Sequence, residues 1–381
     1  MNAESKESGK CCCRKPALPR QDADGPSQPV ADPSVWSAPW VVGRLATPVG
    51  DVPQVSTNLT WRDRLGGWKL RWAIGRMAYR VFPGLYAVGN PTDQSPVLVT
   101  ANYKLTFDHL RSQLHGRDAW LLVLDTKGVN VWCAAAKGTL GTDELLRRIG
   151  MTGVRALVSH DMLILPQLAA VGVSAHDVRK ASGLRVIFGP VYAADLPRFL
   201  ETGFKSPEMH RVRFSLMDRL VLVPVELVQW MTKAFLVGAC LMLLASLGAD
   251  GFALERLFSV GVPSAVMLLI VVALAVTLGP TLLPWLPGRA FSVKGASLGL
   301  LLAVVVLLTR GLMAGGNIRV LDLVAWCLAI PTISSFTLMG FTGSTPYTSL
   351  SGVRREVRLA VPPQLAAAAV ATVVFVLGRF V

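Results

Sequence analysis

The sequence predicts an α/β domain with a parallel sheet, followed by an all-α region of five membrane-spanning helices. Three observations carry this. Of the 381 residues, 52% are hydrophobic and only 16% charged, which is too apolar for an ordinary soluble chain of this length. The apolarity is lopsided, because residues 1 to 218 are mixed whereas long uncharged stretches crowd the remainder. Between 96 and 200 short β-rich runs alternate with helical ones, the pattern of a parallel sheet.

Residues 1–57 are rich in Pro, Ser, Asp and Lys and show little periodicity, so they read as a disordered N-terminal tail. Thr60 and Asp63 have the spacing of a capping box. Trp61, Leu65, Trp68 and Trp72 then recur at helical spacing among Arg62, Arg64, Lys69, Arg71, Arg76 and Arg80. That basic helix either contacts a membrane surface or anionic ligand, or packs its Trp face on the domain. The following elements are a strand at 97–100, a helix at 106–114, a strand at 120–125 and a helix at 142–149. A strand at 156–159, helices at 163–170 and 175–180, and a strand at 184–188 complete the series. Ligands of such sheets sit beyond the carboxyl ends of the strands. There the chain places Thr100-Ala101-Asn102-Tyr103, Asp125-Thr126-Lys127-Gly128, Ser159-His160-Asp161 and Gly189-Pro190-Val191-Tyr192.

Residues 58–215 are thus assigned to the soluble domain and 216–381 to the transmembrane domain, with spans near 227–247, 260–283, 295–314, 320–343 and 361–381. Each is long enough to cross about 30 Å of hydrocarbon. Arg211, Arg213 and Arg219 precede the first span, Arg289 and Lys294 lie in the second loop, and Arg354, Arg355 and Arg358 in the fourth. The first and third loops carry only Arg256 and Arg319. By the positive-inside rule the N-terminal domain is expected in the cytosol, the spans in the inner (cytoplasmic) membrane and the C-terminus outside. The absence of an apolar N-terminal stretch agrees with this placement. Glu226, Lys233 and Arg310 lie in or beside the spans, either as pathway residues or as snorkelling ends.

The net charge of +14 comes without any zinc-finger or RNA-binding signature, so no nucleic-acid partner is expected. Six cysteines at 11, 12, 13, 133, 240 and 327 form neither a disulfide framework nor an iron–sulfur or zinc pattern.

Cys133 stands out. It follows a strand and a tight loop containing Gly128, and opens the helical run Ala134-Ala135-Ala136-Lys137. A helix N-terminus favours a negatively charged group, so a thiol there suits a ligand or nucleophile. The other reading is a small buried hydrophobe. His109, His115 and His160 lie in no protease-like context.

The run Asn130-Val131-Trp132-Cys133-Ala134-Ala135-Ala136-Lys137 resembles the cap-helix signature of the mercury-methylation corrinoid proteins, meeting seven of its eight positions. Ala136 stands where that family has Gly. The segment Thr100–Thr106 and the five-span tail resemble it too, so the similarity covers roughly 58–381. The resemblance implies a Rossmann-like corrinoid-binding domain, related to the corrinoid iron–sulfur protein but without its cluster cysteines. Cys133 would be the lower axial ligand of cobalt and the catalytic residue, with Asn130, Val131, Trp132, Ala134 and Lys137 around the cofactor. A thiolate is a soft, strong donor and would favour transfer of a methyl group to mercury(II). The implied cofactor is cobalamin or a related corrinoid. The implied partners are a ferredoxin-like iron–sulfur electron donor, a methylated pterin or methyltransferase as methyl donor, mercury(II) and the bilayer. Thr100, Asn102, Tyr103 and Thr126 are candidate corrinoid contacts from their strand-end positions, and Cys11, Cys12 and Cys13 could hold mercury(II) as soft donors. Two other functions fit the sequence: a membrane corrinoid methyl carrier of one-carbon metabolism with another acceptor, and a transporter with a cofactor-free soluble domain. A transporter should show internal repeats or midplane charges.

Overall fold

A computed structural model describes residues 33–381 apart from 77, 204–205, 314–318 and 346, so Cys11, Cys12 and Cys13 lie outside the described residues. The strands are β1 (Val41–Thr47), β2 (Gly50–Val55), β3 (Gly84–Val88), β4 (Val97–Ala101), β5 (Ala119–Leu124), β6 (Met162–Leu165) and β7 (Arg185–Phe188). The helices among them are α1 (Trp61–Arg71), α2 (Lys104–Ser112), α3 (Val131–Lys137), α4 (Thr142–Thr152), α5 (Val154–Leu157), α6 (Ala175–Ser182) and α7 (Leu196–Thr202).

These seven strands of the N-terminal domain form one sheet in the order β1-β2-β3-β5-β4-β6-β7. It is mixed rather than wholly parallel. β5, β4, β6 and β7 run parallel, β3 lies antiparallel to β5, and β1 with β2 forms an antiparallel hairpin on the far edge. The hairpin corrects the tail boundary: Val52 and Val55 are each only 2% exposed, so the polar composition around them concealed two inward-facing anchors. A second correction concerns residues 154–165. Of the expected strand at 156–159, residues 156–157 end α5 and 158–159 form no strand; the strand falls instead at β6, largely within the stretch expected to be helical.

Every residue of β5 is buried, because helices cover both faces of the sheet. Trp120, Leu122 and Leu124 pack with α3, α4 and α6 on one side. Leu121 and Val123 pack with Phe107 of α2 and with Leu196 and Phe199 of α7 on the other. Burying each such leucine stabilises the fold by about 1.5–3 kcal/mol. The chain leaves β4 through α2 to β5 and then crosses back through α3, α4 and α5 to β6 on the opposite side of β4. The helices leaving β4 and β5 therefore lie on opposite faces, which opens a crevice at the carboxyl ends of β4 and β6.

The expected capping box of α1 is present: Thr60 Oγ1 accepts from Asp63 N at 3.3 Å and Asp63 Oδ2 accepts from Thr60 N at 3.0 Å. The Trp face does not pack on the domain. Asp63, Gly67 and Leu70 do, while Trp61 is 73% and Trp68 57% exposed. Asp63 joins a buried ionic cluster in which Lys104 Nζ lies 2.9 Å from Asp63 and 2.5 Å from Asp108, and Arg111 lies 2.9 Å from Asp63 and 2.7 Å from Asp108. Two carboxylates thus meet two cations, which is what allows them all to be buried. The cluster fastens α1 to α2.

After the short helix α8 (Leu216–Leu220) come α9 (Val223–Ala245), the helical turn α10 (Leu254–Arg256), α11 (Val262–Leu282), α12 (Phe291–Met313), α13 (Val320–Gly340) and α14 (Leu350–Leu377). Counting α8 with α9 and α10 with α11, five helical segments among the described residues are long and apolar enough to cross a membrane. The helices pack on one another through Leu268, Val271, Leu298, Trp326 and Ile330. Outward-facing Leu236, Leu301, Leu308 and Leu365 stay more than 60% exposed, an apolar surface that a soluble monomer avoids. Arg219 of α8 is buried and donates to the carbonyls of Pro280 and Thr281, at 3.0 and 2.9 Å. It thereby caps the end of α11 beside the start of α9.

Candidate functional site: a cleft at the carboxyl ends of the strands

The crevice is a cavity of about 370 Å³, with walls from β4 (Leu98, Val99, Thr100), α2 (Thr106, His109, Leu110), β6 and the turn after β7 (Gly189, Pro190, Tyr192). Asn130, Val131 and Trp132, at the start of α3, complete it. Of the candidate residues read from the sequence, Thr100, Asn130, Val131 and Trp132 line the cavity. Gly189 keeps one wall thin, since a side chain there would stand 3.1 Å from Ile164 Cγ2.

The start of α3 is held by local chemistry. Asn130 is its N-cap, its Oδ1 accepting from Cys133 N at 2.9 Å, which satisfies a donor that the first turn would otherwise leave unpaired. Val131, Ala134 and Ala135 face the domain and are buried, whereas Cys133, Ala136 and Lys137 share the exposed face. Cys133 is an exposed free thiol, not a small core residue. Ala136 points away from the domain, so its methyl group meets no crowding there. Ala134, expected beside a cofactor, is fully buried beneath the helix.

Small residues let α3 sit this close. Gly172, which ends the turn after β6, lies so near the backbone that a Cβ on it would collide with Leu140 O and come within 3.2 Å of Ala135 Cα. Gly138, with φ +80°, closes the helix in the left-handed conformation that glycine adopts at little cost.

Asn102 and Thr126 organise the loop that leads into α3. Asn102 Oδ1 accepts from Thr126 N at 3.1 Å and Gly128 N at 3.0 Å, and lies 2.8 Å from Thr126 Oγ1. Both residues are almost wholly buried, with their polar atoms engaged inside the fold. The turn they support has positive φ at Lys127 and Gly128, with Val129 N donating to Thr126 O at 3.2 Å. A non-glycine residue in that region costs about 1–2 kcal/mol, partly offset by Asp125, which accepts from Lys127 N at 3.1 Å and pairs with Lys127 Nζ. Burial pushes the Asp125 carboxyl up, but the hydrogen bonds and charge of Lys127 outweigh it and hold the group below its ordinary range.

Tyr103 is buried, and burial raises its phenol pKa against the opposing charges of Arg76 and Arg71, with Cys133 reinforcing the rise. Sequence reading missed His109, which enters the cleft wall one turn into α2. Its pKa is lowered by desolvation and then by Arg71. Its position beyond a strand end was the available signal. Among the described residues no three His, Cys, Asp or Glu side chains gather around a common metal position.

A family profile described as CO dehydrogenase/acetyl-CoA synthase delta subunit matches residues 72–200. The gamma subunit of the acetyl-CoA decarbonylase/synthase complex of Methanopyrus kandleri is 38% identical over 128 residues, 33% of this chain and 27% of that one. The gamma 2 subunit of Methanosarcina mazei is 36% identical over 121 residues, 31% and 25% of the two chains. The gamma subunit of Methanocaldococcus jannaschii is 34% identical over 131 residues, 34% and 26%. The chain spans about a quarter of the length of these relatives. These findings correct the expectation raised by the signature at 130–137. The similarity runs to acetyl-CoA decarbonylase/synthase subunits and not to mercury-methylation proteins, so mercury methylation is neither the family nor the activity these relatives support, and mercury(II) drops out as substrate and partner. The expectation rested on the cap-helix run, the segment Thr100–Thr106 and the five-span tail, whereas the matched region extends over the whole cleft. The segment that builds the cleft, from Leu98 to Leu196, is therefore similar to subunits of a multi-subunit enzyme complex and lies wholly inside the match to the delta-subunit profile.

Proposed function

We propose that the α/β domain is a corrinoid-binding methyl carrier, held at a membrane by the five apolar helices, that passes a methyl group to a partner enzyme or small acceptor. One observation carries the reading: the region similar to acetyl-CoA decarbonylase/synthase subunits contains every residue of the strand-end cleft and the exposed Cys133 beside it.

The residues suit such a cofactor. The cleft is concave and mostly apolar with a few polar groups, as ligand sites are, and about 370 Å³ lies at the small end of their range. It would accept an edge or pendant group of a large cofactor. Cys133 offers a soft sulfur donor suited to a transition metal, and its exposure leaves the sulfur free to bind. A bound corrinoid would supply a metal centre able to take up and release a methyl group.

The chain's own work is positioning. Asn130 fixes the backbone of Cys133 through the cap hydrogen bond, so the donor is presented on a held helix start. Asn102 and Thr126 act one step further back, by shaping the turn that sets where α3 begins. Val131 and Trp132 supply apolar wall and exclude water, Thr100 adds a hydroxyl at the β4 end, and Lys137 places a cation on the same exposed face as Cys133. Tyr103, buried at the start of α2, lies outside the lining of the cavity. Electrons for reactivation would come from an iron–sulfur partner, and methyl groups from a separate donor protein or methylated pterin. With the spans in a bilayer, the cleft faces the cytosol by the charge bias of the loops.

The test is the absorption spectrum of the full chain in detergent micelles titrated with cobalamin. Saturable binding with a spectrum that changes in Cys133→Ala supports the reading. Cys133 is exposed, so that variant should stay within about 0.5 kcal/mol of the parent in stability. Absence of corrinoid binding in the parent chain would end the proposal, and an unchanged spectrum in Cys133→Ala would end the role of the thiol.

A further inference from the structure

The outward face of α1 is built like an interfacial membrane helix. At about 100° per residue, Trp61, Leu65, Trp68 and Trp72 fall within about 60° of one another on the helix surface. Asp63, Gly67 and Leu70, the residues buried against the domain, lie on the opposite side. Arg62 and Lys69 flank the aromatic stripe on one edge, and Arg64 and Arg71 on the other, each about 70–90° from its centre. Trp61 is 73% exposed, Trp68 57% and the following Ile74 58%, and the rings of Trp68 and Trp72 stand 6.2 Å apart. Large aromatic side chains seldom face water in such a row, and Trp is enriched where one end of a side chain is apolar and the other wet.

The occupant of this face follows from its surroundings. α1 packs beside α9, the first long apolar helix, so whatever bilayer holds α9 lies within reach of α1. The five described charged residues of α1 are four cations and Asp63, and Asp63 is neutralised inside the domain by Lys104 and Arg111. Arg62, Arg64 and Lys69 are exposed, whereas Arg71 is half-buried with its Nε inside; the outer face is therefore purely cationic around an aromatic stripe, complementary to anionic lipid headgroups above an acyl layer.

We infer that α1 lies in the membrane interface, with Trp61 and Trp68 inserted among lipid headgroups and its basic edges on anionic lipid, so that the α/β domain is docked on the bilayer at two places. The inference goes beyond the proposed cofactor chemistry and rests only on the spans occupying a bilayer. Because the cluster of Asp63, Lys104, Asp108 and Arg111 fastens α1 to α2, and α2 forms one wall of the cleft, docking fixes the orientation of the cleft relative to the membrane.

The experiment reconstitutes the full chain into nanodiscs carrying lipids brominated near the top of the acyl chains, where a helix buried about 5–10 Å into the boundary would place its rings. The difference in fluorescence between the parent and the variant Trp61→Phe/Trp68→Phe isolates those two rings, and incorporation into nanodiscs separately shows that the spans hold a bilayer. Docking predicts a blue-shifted difference spectrum that loses most of its intensity to the brominated lipid, more in discs containing phosphatidylglycerol than in phosphatidylcholine alone. A difference spectrum indifferent to bromine would overturn docking and leave this face to a protein partner. Equal quenching in the two lipid compositions would overturn the role of the basic edges.

Discussion

Replacing Gly172 with alanine tests how the fold presents Cys133. The backbone there has φ −107° and ψ −18°, which alanine adopts freely, so the effect is purely steric. The new methyl group would collide with Leu140 O and stand 3.1 Å from Ala135 O and 3.2 Å from Ala135 Cα, where ordinary contact begins at 3.4 Å. All three atoms belong to α3 or the chain just after it, and none is the end of a flexible side chain. α3 must move, at the typical overpacking cost of about 1–3 kcal/mol. Amides of β4 and β5 that open only with the whole domain should then exchange about 5- to 150-fold faster. A shift on the order of 1 Å is also the scale at which misplacement costs about 10²-fold in activity, so cobalamin affinity should fall together with stability. Gly138→Ala is the control: nothing surrounds its Cβ, so it should cost about 1–2 kcal/mol through the left-handed backbone while leaving the affinity nearly intact. Unchanged exchange and affinity in Gly172→Ala would refute the claim that this contact holds α3 in place.

Two further outcomes concern the ionic cluster. Lys104→Met removes the cation between Asp63 and Asp108, both less than 9% exposed, and should cost about 3–5 kcal/mol, read from the protection of α2 amides in the full chain. A loss below about 1 kcal/mol would contradict the burial of that charge. Acid should loosen α1 before the sheet. Burial raises the Asp63 carboxyl, but hydrogen bonds from Lys104 and from the Thr60 cap hold it far below the ordinary carboxylate range. A depressed folded pKa contributes stability that is complete above the unfolded value of about 3.9 and is lost as pH falls below it. Protection factors of α1 amides should therefore be flat from pH 7 to about 5 and decline below about 4; a decline centred near neutrality would point to another group.

Much of the chain was legible because its pattern is local. β4 and β5 are continuous apolar runs, α1 opens on the capping box of Thr60 and Asp63, and the five apolar stretches declare themselves by length alone. β6 was not legible, since a run as short as Met162–Leu165 reads equally as buried helix or strand until a neighbour pairs with it. β1 and β2 were hidden by their turn residues and by the exposed alternate positions of a sheet edge. At the site, the cap of Asn130 on Cys133 is a three-residue relation visible in sequence. The three hydrogen bonds converging on Asn102 join residues 24 to 26 apart, which no periodicity announces. The family was misread because two short segments and a set of apolar spans say little about the domain between them.

By itself the sequence determined the two-part architecture, the apolar helices, the helix start at Cys133 and the aromatic and basic stripes of α1, all properties of spacing along one element. Tertiary structure decided which side of each element meets the domain. It turned the Trp stripe of α1 outward, because Asp63 found its cations in Lys104 and Arg111 of α2, and it turned Cys133 outward, because the glycine at 172 admits only the small face of α3. A side chain's environment is set by what packs across from it, and those partners lie 37 to 48 residues away in the chain.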